Sequence, residues 1–226
     1  MNSGFLWIII ASVIGFGISA ISTSLLKLRR NVFLLIYIPV VAVLFALFVK
    51  SNEINLPELF SHNWYWGLAG AVIAGVFVLR NVFSQPSSPR SRGGVFVLDI
   101  IWPGLAYGLI DAVLLSIIPV LALKTALTGD FWTAGWAGRI SFGLLAMIAS
   151  FIVTTAYHWG FPEFRGKRIV WPNVGNGVLT LAFLLTMNPL AAILPHMAMH
   201  VAAMIHGRES TGQVPPHYNQ ATDPWK

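Results

Sequence analysis

Residues 31–49 read NVFLLIYIPVVAVLFALFV, nineteen positions without a charge. The hydrocarbon core of a bilayer, about 30 Å thick, calls for a helix of roughly 20 mostly apolar residues. This stretch reads as a membrane span, and the rest of the chain repeats its pattern. Of 226 residues, 56% are hydrophobic and 10% charged, against about 25% charged in soluble domains. The composition therefore describes an all-α, polytopic transmembrane bundle rather than a soluble fold.

Six further apolar runs lie at 5–26, 64–83, 104–127, 140–157, 174–187 and 189–205, which makes about seven spans. The first is followed, not preceded, by its positive charges (Lys27, Arg29, Arg30), so it reads as a retained anchor and not a secretory signal. The stretch "VFVLDIIWPG" (95–104) contains Asp99 and Trp102-Pro103, and reads as a short interfacial helix. The last two runs are short and form an expected helical hairpin around "MNP" (187–189), packed inside the bundle. Asn173 and Asn176 suit a helix start there, as caps. With seven spans, Arg29, Arg90, Arg92, Arg165, Lys167, Arg168 and Arg208 share one side, and Lys50, Lys124 and Arg139 the other. The positive-inside rule places the N-terminus outside and the C-terminus in the cytoplasm. Trp7, Trp64, Trp66, Trp159 and Trp171 fall near span ends, as an aromatic belt requires.

The loop "SQPSSPRSRGG" (84–94) is the best internal boundary. It divides a three-helix part (1–84) from a membrane core (95–207), with 85–94 as the loop and 208–226 as a polar tail that reads as a strand-like arm or disorder. The net charge is +6, but the basic residues sit in short loops and no basic patch interleaves with exposed aromatics, so nucleic acid is not an expected partner. The expected surroundings are a lipid bilayer, with a membrane protein or peptide as partner, and the expected compartment is a bacterial inner (plasma) membrane. With no cysteine, disulfides, iron–sulfur clusters and thiolate zinc sites are excluded.

Ionisable groups inside spans are expensive and mark functional sites. Four stand out: Asp111, His158, His196 and His200. In the seven-span arrangement Asp111 lies roughly 10 Å deep, His200 about 9 Å and His196 about 15 Å, with His158 at the same end. His196 and His200 are four residues apart and share one helix face. They can share a metal, with His158 as a third nitrogen and Asp111 as a carboxylate ligand or base. The structural alternative for each is a packed, hydrogen-bonded side chain. His206 belongs at the interface, and His62 and His217 in loops. Glu163 stands beside Arg165 in the loop at the mouth of this site, where a solvated charge is the better reading.

"GLIDAVLLS" (108–116), "TTAYH" (154–158) and "HMAMH" (196–200) occur in the order and rough spacing of three membrane motifs: 47 residues separate Asp111 from His158, and 38 separate His158 from His196. The set resembles the CPBP family of intramembrane proteases, which includes type II CAAX prenyl endopeptidases and bacteriocin-processing proteins. Those motifs are Glu-Glu-x-x-x-Arg, Phe-x-x-x-His and His-x-x-x-Asn. Here Ile110 and Asp111 replace the glutamate pair, Leu115 the arginine, Thr154 the phenylalanine and His200 the asparagine. The resemblance implies an intramembrane endopeptidase in which Asp111 activates water and His158, His196 and His200 stabilise the oxyanion, with no cofactor required. Three other readings stay open: a non-catalytic subunit or scaffold of a membrane complex, a His-ligated metal or haem protein, and a transporter, for which no paired repeat is visible.

Overall fold

The computed structural model describes residues 3–132 and 135–207, and among them every regular element is helical. In chain order the longer elements are α1 (Gly4–Leu25), α2 (Arg30–Ser51), the short α3 (Leu56–Ser61), α4 (Trp64–Phe83), α5 (Gly93–Ala126), α6 (Gly135–Trp159), α7 (Gly166–Thr186) and α8 (Leu190–His206). Six of these (α1, α2, α4, α5, α6 and α7) are long and apolar enough to cross a membrane, and α8 is a shorter apolar helix of 17 residues. Large apolar side chains cover the outside of the bundle, among them Leu35, Val43, Ile73, Leu144 and Leu185. Exposed Trp64, Trp66, Trp136, Trp159 and Trp171 lie at or near helix ends. These are the properties of an integral membrane protein. Trp7 also lies near a helix end, in the first turn of α1, where it packs edge-on against Phe48 at 5.5 Å. The tail 208–226, with Arg208 and His217, lies outside the described residues.

Helix α5 is the central pillar. In its most apolar stretch 83% of residues are buried, against 28–33% in the other five long helices. It packs on α1, α2, α6, α7 and α8. The sequence predicts a break at Trp102-Pro103, yet the helix runs on for 34 residues. Proline lacks the N–H an α-helical turn needs, and the chain passes it in a wider π-helical turn over Ile100–Ala106. A second π-helical turn covers Val113–Ile117. The α-helical piece between them, Tyr107–Ala112, carries Asp111.

Helix α8 is held between α4, α5 and α7. Small buried residues Gly67, Ala71 and Gly75 recur every fourth position on α4 and let it approach α8 closely. On the other flank Gly108 of α5 meets α8 backbone to backbone: a Cβ built there falls 2.7 Å from the Met197 Cα and 3.1 Å from the His196 carbonyl oxygen. The expected hairpin is present as the α7–α8 turn. Met187 takes the left-handed conformation at φ 52°. Asn188, fully buried, donates through Nδ2 to the carbonyls of Phe60 (2.9 Å) and His62 (2.6 Å) and accepts from the Leu190 N–H (2.9 Å).

Helix α7 begins earlier than the sequence predicts, so neither asparagine caps it. Its first turn is a tight one over Gly166–Ile169 and it continues as α-helix from Val170. Asn173 instead reaches across to Thr155 of α6, and Asn176 is buried in mid-helix.

The close approach at Gly108 generates the first test. Gly108→Leu drives side-chain atoms into the α8 backbone and is expected to destabilise the protein by about 2–3 kcal/mol or more. Gly143→Ala on α6, where the built Cβ meets nothing within 4 Å, is expected to be neutral or slightly stabilising. Thermal unfolding of both variants in detergent checks the contrast.

Candidate functional site

The α5–α8 contact sets Asp111 beneath two imidazoles. His196 and His200 sit one turn apart on α8, and their rings stack at 5.2 Å with planes 10° apart. Asp111 Oδ2 lies 3.6 Å from His196 Nε2 and 3.7 Å from His200 Nε2. One ligand atom from each of the three residues lies within 4.8 Å of the others. All three side chains are buried, with Asp111 and His196 at 3% exposure and His200 at 1%. The distances exceed hydrogen-bonding reach, so the three groups face one another across a small gap. His196 Nδ1 is buried and has no hydrogen-bond partner among the described residues.

Three tyrosines hold this arrangement. The Tyr37 hydroxyl, from α2, donates to Asp111 Oδ1 at 2.6 Å. That bond fixes the carboxylate so that its other oxygen faces the histidines. Tyr107 lies edge-on to His200 at 4.5 Å, and its hydroxyl shares a hydrogen bond of 2.9 Å with Tyr157 of α6. Tyr157 in turn stacks on Tyr37 at 5.2 Å. Helices α2, α5 and α6 thus each contribute one tyrosine to the wall around the carboxylate.

One turn further along α5, the π-helical turn presents the Leu115 carbonyl to two neighbouring helices. Ser150 Oγ donates to it at 2.7 Å and Asn176 Nδ2 at 3.2 Å. Asn176 Nδ2 also reaches Ser150 (2.9 Å) and Thr154 (2.8 Å), while Ser116 donates to Asn176 Oδ1 at 2.9 Å. Thr180 joins Ser116 and Ser150, each at 2.9 Å. This buried network binds α5, α6 and α7 together directly below the Asp111 site.

A cavity of about 450 Å³ opens onto the three residues. His158 and Asn176 line it, with Phe77 of α4 and Leu179 of α7 among its apolar walls. His158 is not one of the three clustered residues. It is half-buried, and its Nδ1 donates to the Thr154 carbonyl at 2.9 Å, because a carbonyl oxygen can only accept. Of the four residues grouped in the sequence, Asp111, His196 and His200 come together and His158 stands on the cavity wall. His206 donates to the Gln85 carbonyl at 2.7 Å, which ties the end of α8 to the loop after α4. His62 pairs with Asn63 at 3.0 Å. Arg165 donates to Ser24 and to the Trp159 carbonyl.

The tyrosines and the Ser–Thr–Asn network carry no motif in the sequence. The one visible signal is Tyr37, a lone hydroxyl inside the uncharged run 31–49, where a buried phenol needs a partner. Comparison with protein-family models, with curated proteins and with solved structures finds no match to this chain.

Asn176→Ala strands the polar atoms that now meet at its amide. It is expected to cost about 1–3 kcal/mol, read as a lowered melting temperature, while Ser84→Ala at the exposed end of α4 leaves it unchanged.

Proposed function

We propose that this protein is an integral membrane hydrolase whose reaction centre is Asp111, His196 and His200. The observation that carries the reading is the gap of 3.6–3.7 Å between Asp111 Oδ2 and the two Nε2 atoms, at the floor of a cavity inside the bundle. A water held in that gap meets one proton acceptor and two imidazoles at once. In peptide hydrolysis its oxygen attacks the carbonyl carbon, its proton passes to the carboxylate, and the C–N bond breaks as that proton moves to the leaving nitrogen. The imidazole N–H groups of His196 and His200 stabilise the oxyanion, and His158, whose Nδ1 already donates to the Thr154 carbonyl, joins them only as imidazolium. The resemblance of 95–207 to CPBP proteases supports the same assignment, with a membrane-embedded peptide as substrate.

In this reading the shorter α8 joins the six long apolar helices as a seventh span, with the N-terminus outside, the C-terminus in the cytoplasm and a bacterial plasma membrane as the setting. The bonds of Ser24 with Gly160 and Arg165, and of Ser88 and Gln85 with His206, are consistent with gathering the arginine-rich loops on the side assigned to the cytoplasm. A second reading, a non-catalytic subunit that holds a lipid, peptide or partner helix in the same cavity, is favoured by Leu115. It is a buried apolar residue at the position of the family's arginine.

Two experiments test this. Asp111→Asn and His196→Gln are each expected to lower kcat on a membrane-anchored peptide at least about 100-fold, with melting temperatures near the wild type. Turnover that persists in both variants removes the hydrolase reading. A constant co-purifying partner without any cleavage favours the subunit reading. The absence of cysteine allows single-cysteine mapping of topology: Ser87→Cys should react with impermeant maleimide only from the cytoplasmic side, and Asn52→Cys only from outside. The reverse pattern overturns the orientation.

A further inference from the structure

We infer that Asp111, His196 and His200 form a binding site for a divalent transition metal, with zinc as the ion its donors suit best. The inference rests on the reading of this cluster as the reaction centre, but binding is measurable without catalysis.

Geometry is the first support. A four-coordinate ion with bonds of about 2.0–2.1 Å holds its donors about 3.4 Å apart. The two Oδ2–Nε2 separations, 3.6 and 3.7 Å, come within a few tenths of an ångström of that edge. They are too long for hydrogen bonds, the three donor atoms lie within 4.8 Å of one another, and a shared ion requires the parallel His196 and His200 rings to rotate so that both Nε2 atoms face it. Two histidines at i and i+4 on one helix with a carboxylate from another are a known donor set for zinc.

Charge is the second. A carboxylate buried to this degree needs a proton or a cation to balance it. Asp111 meets Tyr37, His196 and His200, and among the described residues no lysine or arginine pairs with it. An imidazole supplies that cation only when protonated, and with both rings neutral the site keeps one negative charge. A divalent ion with one bound hydroxide brings the sum of the site to zero.

The surroundings are the third. Ligands of a tight metal site are oriented by groups behind them. Tyr37 performs that task for Asp111 through Oδ1, leaving Oδ2 for the ion. Tyr107 braces the His200 ring, and Gly108 permits the backbone contact that brings α8 within reach. His196 Nδ1 has no hydrogen-bond partner among the described residues, so its ring lacks the orienting bond that Tyr37 gives Asp111. Three protein donors leave a fourth position for water, as catalytic zinc sites do.

Metal binding revises the role of Asp111 from proton acceptor to ligand. A bound ion would supply Lewis acidity toward a water in the fourth position, with Asp111, His196 and His200 as the residues that hold it.

The test uses the full chain in mild detergent, stripped with a chelator and then titrated with Zn²⁺, with Co²⁺ as the spectroscopic probe. One ion per chain is expected, with the visible absorption of four-coordinate Co²⁺. The affinity for Zn²⁺ should fall at least about 100-fold in Asp111→Asn and in His196→Gln, and about 10–100-fold in Tyr37→Phe. Tyr37→Phe keeps the ring and its packing, so it stays informative if the other variants fail to fold. Binding equal to wild type in the double variant His196→Gln/His200→Gln assigns the ion to other residues and overturns the inference. So does peptide cleavage that survives complete metal removal, although that outcome leaves the hydrolase reading standing. Stoichiometric binding lost in the ligand variants, with no cleavage of any peptide, supports the metal site and removes the hydrolase reading instead.

Discussion

The backbone contact between α5 and α8 at Gly108 is the constraint on which the rest of the site depends. A side chain there would hold the helices apart, and the carboxylate of Asp111 would no longer reach the two imidazoles one turn apart on α8. The contact is tight because both helices are clamped from outside. The small-residue face of α4 supports α8, and the Ser–Thr–Asn network ties α5 to α6 and α7. The polar site is thus enclosed by elements that earn their stability from dispersion packing and from fully satisfied hydrogen bonds. Both count for more inside a membrane, where burial of apolar surface between helices contributes little.

A buried polar centre in an apolar bundle needs its donors and acceptors matched. Here the matching is uneven in an informative way. The Leu115–Ser116–Asn176 network is closed, with short bonds throughout, and it behaves as structure. The Asp111 group is open: its carboxylate has one firm bond, from Tyr37, and the imidazole nitrogens stand back. Two polar clusters a single turn apart on one helix therefore have different tasks, and the difference lies in the distances rather than in the residue types.

Much of this was legible in the chain. Uncharged runs of membrane-spanning length gave the helices, and the i, i+4 spacing put His196 and His200 on one face. Asp111 and these histidines fall in the same half of the membrane, which permitted their meeting. His158 shared that depth but not that face, and depth alone does not fix the rotation of a helix about its axis. The tyrosines were hidden because a phenol inside an apolar run reads as core until its partner is known. The continuity of α5 was hidden because Pro103 signals a break in one dimension. Only the packing around it, with Gly104 against Val201, shows how a buried proline is kept within a helix.

The two π-helical turns of α5 have a consequence for how this chain tolerates change in length. Each such turn holds one more residue than the α-helical turn it replaces. Loss of one residue from Ile100–Ala106 lets that turn relax to α-helix and keeps the register of everything after it. Loss of one residue from Tyr107–Ala112 finds no such slack, and it swings Asp111 about 100° around the helix relative to the preceding turn. The segment that carries the carboxylate is therefore framed by two stretches that absorb the loss of a residue. Its own six positions are the part of α5 where length cannot drift without turning the site away from α8.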